Sequence, residues 1–597
     1  MDSDRPTPTI DEPARLTGAA RGRGGRSRTP WARKTHKERG VVLVWFALLL
    51  VALVAFAGFA VDLSNWWYQA ERIQRAADAG AHAGVVYLPG DLGSATTTAR
   101  AESAKNGYRA SGGSQNATIV VTQEPNPNRL RVKVTSVVPS SFVGLLGIDS
   151  VTLTREAVAE YIAPVPMGSP ENKLGNDPAR GDVSAQFWMN IAGPNGNKGS
   201  GDRFQSKNCG ASVASCTGTA NVGIQNDDYS FEGYFFALKV TAVPVGQPLI
   251  LQAYDPGMIF VGDNCTSVTF PTAAQLTTLQ TWYPDAPQRY AGGTSSWCTG
   301  DQDIGGRTTK TTFVMRSPDD TPWSNTDNPV ISTGTCAPTT MPSFNPGAAG
   351  NPTIFQYLDP TDGIQDAQAV IDGVAPWTFA EVFRQNATLC TLPAGTVTVG
   401  DYILQVRSNV LAATPTTYSS SVVDGGHNRF SMQVGFGTTG VEDINGSNVS
   451  INALGRLPIY ANANAANTNF FLARVLPYDA GRTLRVNLYD ISDVGQSGTM
   501  QVLPPAEAGG TFSDCGFSND TNKAMTFNAG TCTLTVPNGY YNERIVTVDI
   551  PVPSNYSCNP SIATECWITV QANFPGAVND TTTWSAAILG NPIRLVE

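Results

Sequence analysis

The chain carries one long uncharged run near its N-terminus. The run covers residues 41–61, VVLVWFALLLVALVAFAGFAV, and lies between Arg39 and Asp62. A helix rises ~1.5 Å per residue, so the run covers about 30 Å, which is the thickness of the hydrocarbon core of a bilayer. This pattern predicts a transmembrane helix over residues 41–61.

Charge beside the run predicts its orientation. Nine Lys or Arg residues lie between Arg15 and Arg39, against a single acid. Because basic flanks remain in the cytoplasm, residues 1–40 are predicted to form a disordered cytoplasmic leader. The chain after Asp62 is then extracytoplasmic, and a single pass anchors it in the cell membrane.

A cleaved signal peptide is the alternative interpretation of the run. Gly58 and Ala60 offer the small residues of a processing site. Signal peptides, however, have an apolar core of roughly 7–15 residues, which is shorter than this run, and the leader before it is long. Both lengths favour the anchor.

The residues after the run predict a small α+β module over residues 62–163. Strands are predicted over residues 117–122, 130–137 and 151–162, with helices over 96–110 and 140–146. A stripe of small and apolar residues at spacings of three and four predicts that the membrane helix continues outwards. The stripe consists of Ile73, Ala76, Ala77, Gly80, Ala81 and Gly84.

Two phrases of this module resemble a known family. GFAVDLSNWWYQAERIQRAADAGAHAG and LRVKVTSVVPSSFVGLLGIDSVTLTREAVAEY are similar to segments of the TadG/TadE-like family of Flp (tight adherence) pilus-assembly proteins. The resemblance extends over residues 36–163. The matching positions are Asp62, Gln74, Ala76, Ala77, Asp78, Val138, Pro139, Phe142, Leu146, Gly147, Val151, Ala157 and Ala159.

The resemblance implies a minor-pilin-like membrane protein whose partners are other Flp/Tad pilus-assembly membrane proteins or pilins. Trp45 stands five residues after Gly40, where a processed prepilin of this type has Glu, so we do not expect the chain to polymerise as a pilin. Small residues of the membrane helix, Ala52, Ala55 and Gly58, and of its Ala-rich extension are predicted to serve lateral helix association.

Beyond the module, the pattern changes to short stretches of β-branched and aromatic residues. Residues 164–182 are rich in Pro, Gly and polar residues and are predicted to be a linker. The short apolar stretches that follow, separated by Gly, Pro, Asn and Asp, predict a mainly β ectodomain of two β-sandwich-like domains.

An internal repeat predicts the limits of these two domains. FFALKV from Phe235, with Gly246 and Tyr254, recurs as FFLARV from Phe470, with Gly481 and Tyr489, at a constant offset of 235 residues. A gapless recurrence of this kind indicates two copies of one unit. The first copy is predicted over residues 183–440 and the second over residues 441–597.

Every cysteine of the chain lies in the predicted ectodomain. An even number on the outside predicts disulfides in an oxidising compartment, while zinc is disfavoured because no CxxC motif occurs. Order along the chain favours neighbour pairing, although other pairings remain open. The candidate pairs are Cys209 with Cys216, Cys265 with Cys298, Cys336 with Cys390, Cys515 with Cys532, and Cys558 with Cys566.

Charge and histidine content exclude several functions. The 557 residues after the leader carry 29 Lys or Arg against 44 Asp or Glu, so we expect no binding of nucleic acid. His36 and His82 lie on or near the membrane segment, which leaves only His427 for imidazole chemistry in the ectodomain. We therefore predict no enzyme activity, catalytic residue, metal or cofactor.

Two ligand hypotheses and one alternative function remain open. Acidic loops such as residues 227–228 and 359–362 offer oxygen ligands to Ca²⁺, although turn formation also explains them. Six tryptophans can stack on sugars, although core packing also explains them. They are Trp282, Trp297, Trp323, Trp377, Trp567 and Trp584. The predicted function is a contact-based role in Flp pilus assembly, and the alternative is a surface adhesin or carbohydrate-binding protein on a pilin-like anchor.

Overall fold

The computed structural model falls into two compact units. One comprises residues up to 68 with residues 138–151, here called the anchor unit, and the other comprises residues 69–137 and 152–597, here called the sheet unit. The structure describes residues 39–88, 91–110, 117–176, 187–209, 216–219, 223–255, 269–291, 310–319, 324–341, 353–361, 378–408, 426–437, 447–463, 466–508, 511–590 and 593–596. The predicted leader, residues 1–40, lies almost entirely outside the described residues.

The first helix, α1 (Arg39–Gly84), runs without interruption through the apolar run and its predicted extension. It is long and apolar enough to cross a membrane. Side chains of the run, such as Leu43 and Phe56, are 70% and 74% exposed. The prediction of a long apolar N-terminal helix is confirmed, and the helix is consistent with a single-pass anchor.

The membrane-proximal module has the predicted elements in the predicted order. Helix α2 (Leu92–Lys105) begins four residues earlier than predicted, because the side chain of Asp91 accepts a hydrogen bond from the Ser94 N–H and caps the helix. The strands are β1 (Ala117–Gln123), β2 (Arg129–Pro139) and β3 (Ser150–Tyr161), with a 3-10 turn at Val143–Leu146 between the last two, and β1 and β2 pair antiparallel.

The last strand of the chain completes the sheet of this module. In chain numbering it is β27 (Ile593–Leu595), and it pairs antiparallel with β3, placing Ile593 opposite Tyr161 and Leu595 opposite Ala159. The sheet order is therefore β1-β2-β3-β27. The predicted module ended at residue 163, and neither pattern nor spacing indicated that residues more than 400 positions later belong to it.

The first half of the ectodomain contributes twelve of the described strands. Short helices α3 (Ala273–Leu279), α4 (Ala286–Arg289), α5 (Ile354–Leu358) and α6 (Phe379–Val382) lie between them. The strands are β4 (Pro166–Gly168), β5 (Lys173–Leu174), β6 (Phe187–Ala192), β7 (Cys216–Thr219), β8 (Gly223–Asn226), β9 (Tyr234–Val240), β10 (Leu249–Tyr254), β11 (Thr311–Arg316), β12 (Thr339–Met341), β13 (Asn386–Leu392), β14 (Gly400–Ser408) and β15 (His427–Phe436).

The second half contributes eleven strands within the described residues. Strand β19 alternates between partly exposed and buried positions over most of its length, whereas β15 in the first half is buried at every position. The strands are β16 (Val449–Leu454), β17 (Arg456–Ala463), β18 (Ala466–Arg474), β19 (Thr483–Tyr489), β20 (Gly498–Leu503), β21 (Gly516–Asn519), β22 (Phe527–Asn528), β23 (Thr533–Val536), β24 (Ile545–Pro551), β25 (Trp567–Phe574) and β26 (Val578–Ile588).

Strand order shows that both halves have the same topology. In the first half, the strand orders are β13-β10-β15-β6 in one sheet and β12-β11-β14-β9 in the other. In the second half they are β24-β19-β26-β17 and β23-β20-β25-β18. Each half thus contributes eight strands to these orders, which leave out β4, β5, β7, β8, β16, β21 and β22. Numbered in chain order, the eight strands of each half give 6-3-8-1 facing 5-4-7-2, which is the strand order of a jelly roll.

The two jelly rolls share their sheets. Edge strands β6 and β17, which hold equivalent places in the two halves, pair antiparallel, while β16 and β4 join β9 to β18 in the other sheet. The boundary predicted at residues 440 and 441 therefore does not interrupt either sheet. Residues 164–182, which were predicted to be a linker, instead contain β4 and β5. Both strands pair within the large sheets, where their backbone N–H and C=O groups gain hydrogen-bond partners.

Aromatic side chains fill the space between the sheets. Phe313 meets Phe430 edge to face in the first jelly roll, with ring centroids 5.4 Å apart. In the second, Phe470 contacts Trp584 at 6.1 Å. The paired phenylalanines of the repeat, which begin at Phe235 and Phe470, lie on the equivalent strands β9 and β18. One continuous hydrophobic core runs through both halves.

Candidate assembly site in the membrane-proximal module

A single carboxylate at the end of the apolar run holds a loop of the anchor unit. Asp62 Oδ1 accepts the N–H of Ser141 at 2.8 Å, and Oδ2 accepts those of Phe142 at 2.7 Å and Val143 at 2.6 Å. Asp62 is completely buried. Hydrogen bonds to an ionised acceptor are short and strong, so this contact fixes residues 139–149, here called the 139–149 loop, against α1.

Close packing beside Asp62 requires a glycine. A Cβ added at Gly58 would lie 2.9 Å from the Cβ and Cγ atoms of Phe142, closer than side chains tolerate. Gly147, which follows the 3-10 turn, has a φ of 88°, a left-handed conformation that favours glycine. The prediction that Gly58 serves lateral helix association is therefore wrong for its described environment, because Phe142 already covers it.

The small-residue stripe of α1 is also used within the chain. A Cβ at Gly84 would lie 2.7 Å from both the carbonyl oxygen of Ala95 and a methyl carbon of Leu130. Ser103 on α2 donates from Oγ to the Ala76 carbonyl at 3.0 Å. The buried stripe packs against α2 and the sheet, so it does not provide the predicted surface for another subunit.

Two further residues of the family resemblance tie α1 to the sheet. Gln74 Nε2 donates to Asp78 Oδ1 at 2.8 Å and to the Glu156 carbonyl at 3.1 Å. Ala157 and Ala159 on the same strand are fully buried. The positions that resemble the family therefore stabilise the fold of the module itself.

A buried carboxylate joins the module to the second jelly roll. Glu160 on β3 is 1% exposed and receives Arg129 from β2 at 3.0 Å, Arg594 from β27 at 2.8 Å, and Arg482 from the turn before β19. We call these four residues the Glu160 clasp. Burial raises the pKa of the Glu160 carboxyl, but the three guanidinium groups outweigh it and hold that pKa below its ordinary value.

The acidic loops considered for calcium have other partners where they are described. Asp228 binds Lys198 at 2.8 Å and Arg203 at 2.9 Å, so its charge is already compensated. Asp359 accepts the N–H and hydroxyl of Thr361 in a local turn. Asp362 lies outside the described residues. Turn formation and ion pairing account for these residues.

The tryptophans considered for sugar stacking are buried or half-buried where they are described, and the half-buried Trp282 packs against the main core. Trp567 and Trp584 are each 4% exposed, and Trp584 packs in the core of the second jelly roll. His427 begins β15 and is 5% exposed. Of the remaining candidates, Trp297, Trp323 and Trp377 lie outside the described residues.

Four disulfides are present in the described chain. They join Cys209 to Cys216, Cys336 to Cys390, Cys515 to Cys532, and Cys558 to Cys566. These are neighbours in sequence order, and Cys265 and Cys298 lie outside the described residues. One group of possible metal ligands occurs in the described part of the chain, Glu507 with Cys558 and Cys566, but both of its cysteines are in a disulfide and offer no thiolate.

The second jelly roll contains acids that the sequence did not single out. Asp490 is 2% exposed, has a φ of 61°, and accepts the Glu543 N–H at 2.8 Å. Burial, reinforced by the charges of Asp493 and Glu543, raises the pKa of Asp490 to about 8. Burial also raises the pKa of Asp580, whose neighbours include Asp490 and Asp493.

Replacing Asp490 with Asn is expected to stabilise the chain at pH 8 by about 2 kcal/mol, because folding penalises the ionised carboxylate. An Asn keeps an oxygen for the Glu543 N–H and tolerates the left-handed backbone. With a folded pKa near 8 and an ordinary value of about 4, Asp490 costs the native state stability as pH rises between these values. Thermal unfolding of the full chain at pH 5 and 8 measures the effect.

The matched control is Asp514→Asn. Asp514 has a φ of 62° but is exposed, so its replacement should leave unfolding unchanged at both pH values. A D490N chain whose unfolding has the same pH dependence as the parent would contradict the expectation.

The N-terminal part of the chain is similar to a known protein family. Residues 40–88, which include all of α1 except Arg39, and therefore Asp62, match the model of the TadE/G-like Flp pilus-assembly family. The match confirms the resemblance over residues 40–88, and the family it identifies is one of pilus assembly. No curated protein and no solved structure matches the chain significantly.

The Glu160 clasp could not be found from the sequence. Glu160 is the single charged residue in the buried stretch 157–161 of β3, and the strand pattern does not indicate which residues would pair with it. Its partners Arg482 and Arg594 lie 322 and 434 positions away. No local pattern carries information over such separations.

Proposed function

We propose that this chain is a membrane-anchored, extracytoplasmic accessory component of Flp-type pilus assembly that acts through protein contacts, in a minor-pilin-like role. The observation that carries the proposal is the match of residues 40–88 to a pilus-assembly family, over a helix able to cross a membrane. The partners we propose are other Flp/Tad membrane proteins or pilins.

The proposed topology has the N-terminus in the cytoplasm and residues after Asp62 outside. Basic residues before the apolar run support it through the positive-inside rule. The disulfides support it independently, because such bonds persist in oxidising compartments.

The division of labour we propose follows the predicted domains. Residues 41–61 anchor the chain, residues 62–163 with β27 form the membrane-proximal part of the assembly site, and the two jelly rolls, within residues 183–440 and 441–597, supply further contacts that assembly requires. Contacts that use the buried stripe or Gly58 are not part of this proposal, because those surfaces are occupied within the chain. We propose no enzymatic step.

A surface adhesin or carbohydrate-binding protein is the second candidate. The jelly-roll topology favours it, since lectin domains use the same strand order. In this alternative the jelly rolls bind a ligand and the module serves only as their support.

Deletion of the jelly rolls separates the two candidates. Residues 163–592 are replaced by a four-residue Gly/Asn turn, which keeps β27 paired with β3 and leaves Arg129 and Arg594 on Glu160. We expect loss of pili in cells that carry this variant at normal membrane levels.

Pili of normal number with loss of surface attachment would instead support the adhesin. A matched control joins residues 162 and 593 identically but carries Glu160→Gln, which reports whether the shortened module depends on the pairing of Glu160 with Arg129 and Arg594. Normal pili and normal attachment would contradict both candidates.

A further inference from the structure

The 139–149 loop exposes a cluster of large apolar side chains. Leu145 is 87% exposed, Leu146 80%, Ile148 50% and Phe142 46%. Soluble surfaces show such residues singly, whereas a group on one short segment marks contact with a partner or a membrane. The loop has no basic residue and a single acid, Asp149, near its end.

The contact of this loop with α1 fixes its depth. Phe142 packs on Gly58, which lies three residues before the end of the apolar run at Val61. At ~1.5 Å per residue, Gly58 is about 5 Å inside the boundary of that run. A side chain that covers Gly58 therefore lies at a depth where the rest of the helix surface meets lipid.

The backbone of the loop suits an environment poor in water. Asp62 accepts three of its N–H groups. Ser140, Leu145 and Ile148 donate theirs to carbonyls within the loop. Irregular backbone at membrane depth requires internal partners of this kind.

We propose that the 139–149 loop inserts into the outer leaflet of the bilayer beside α1, with Leu145, Leu146 and Ile148 in contact with lipid. The exposed apolar side chains of the loop lie beside the apolar surface of α1, so the lipid that surrounds the helix also contacts the loop. Asp62 and Phe142 hold the loop in place, and the paired insertion gives α1 a defined rotation about its axis. The inference rests on the membrane anchor proposed above.

Spin labels on the full chain in phospholipid nanodiscs test this inference. A label at Leu146→Cys is compared with one at Phe56→Cys, in the apolar run, and one at Val245→Cys, a fully exposed position between β9 and β10. Accessibility to oxygen and to a water-soluble nickel chelate is measured by power saturation. The parent chain, whose described cysteines are all paired, provides the labelling background.

We expect the labels at positions 146 and 56 to be at least threefold more accessible to oxygen than to nickel, and the label at 245 to show the reverse. A label at 146 that behaves like the one at 245 would overturn the inference, as would a label shielded from both reagents by a second copy or another protein. Leu145→Cys repeats the measurement should the Leu146 variant fold poorly.

The three positions also separate this inference from the anchor itself. If position 56 is accessible to nickel, the membrane anchor fails. If position 56 reports lipid and position 146 reports water, only the insertion of the loop fails.

Discussion

Replacing Glu160 with Gln lowers the free energy of unfolding of the full chain at pH 7 by about 3 kcal/mol, at the low end of the cost of breaking a buried ion pair. The three arginines of the Glu160 clasp then face one another without a counterion. The low end applies because Arg129 and Arg594 are each 37% exposed and water screens part of their charge. Thermal or denaturant unfolding in nanodiscs measures the loss.

Glu156→Gln is the matched control. Glu156 lies on the same strand and pairs with Arg131 at 2.8 Å, but its side chain is 47% exposed. An exposed pair contributes at most about 1 kcal/mol, so this variant should unfold close to the parent chain. Equal effects of the two substitutions would contradict the role of the clasp.

Acid should remove the same stabilisation. The folded pKa of Glu160 is lower than its unfolded value, so its contribution is complete above the ordinary pKa of about 4.3 and is lost as pH falls through the folded value. The parent chain and the E160Q variant should therefore converge in stability below about pH 4. A difference that stays constant down to pH 2 would show that the substitution acts by another route.

Removing the disulfide between Cys336 and Cys390 by a double substitution to Ala is expected to cause the second large loss of stability. The bond closes a separation of 54 residues, and the loss of its constraint on the unfolded chain costs about 4 kcal/mol. Both cysteines are buried in the core, at 2% and 3% exposure. We expect a lower midpoint of thermal unfolding, measured under non-reducing conditions.

The bond between Cys558 and Cys566 is the matched comparison. It closes a separation of only 8 residues, so its removal by the same substitutions should cost about 2.5 kcal/mol. A reducing agent should bring both variants and the parent towards the same stability. A larger loss for the short loop would contradict the entropic origin of the difference.

Most elements of the module were predicted from local sequence patterns. The apolar run, the spacing of Ala76, Ala77 and Ala81, and the alternation in β1 to β3 each depend on residues close in sequence. Helix and strand periodicity are properties of such neighbours, which is why these elements appear where predicted. The family resemblance also depends on short phrases, and its match over residues 40–88 follows from the same local information.

The repeat shows where local information reaches its limit. A constant offset of 235 residues correctly related β9 to β18, since equivalent strands keep equivalent side chains. It did not reveal that β6 pairs with β17, or that β4 lies between β16 and β18. An edge strand can form backbone hydrogen bonds with any compatible strand, so its sequence does not indicate which strand pairs with it.

The amino-acid sequence alone determined the long apolar helix, the small α+β module and the β-rich ectodomain with its repeat, and it favoured neighbour pairing of the cysteines. Only the tertiary structure decided that the two jelly rolls share their sheets, that β27 completes the module, and that Glu160 gathers three arginines. The first group depends on patterns within a few residues. The second depends on pairings between distant segments, whose free energy exists only once the chain has brought them together.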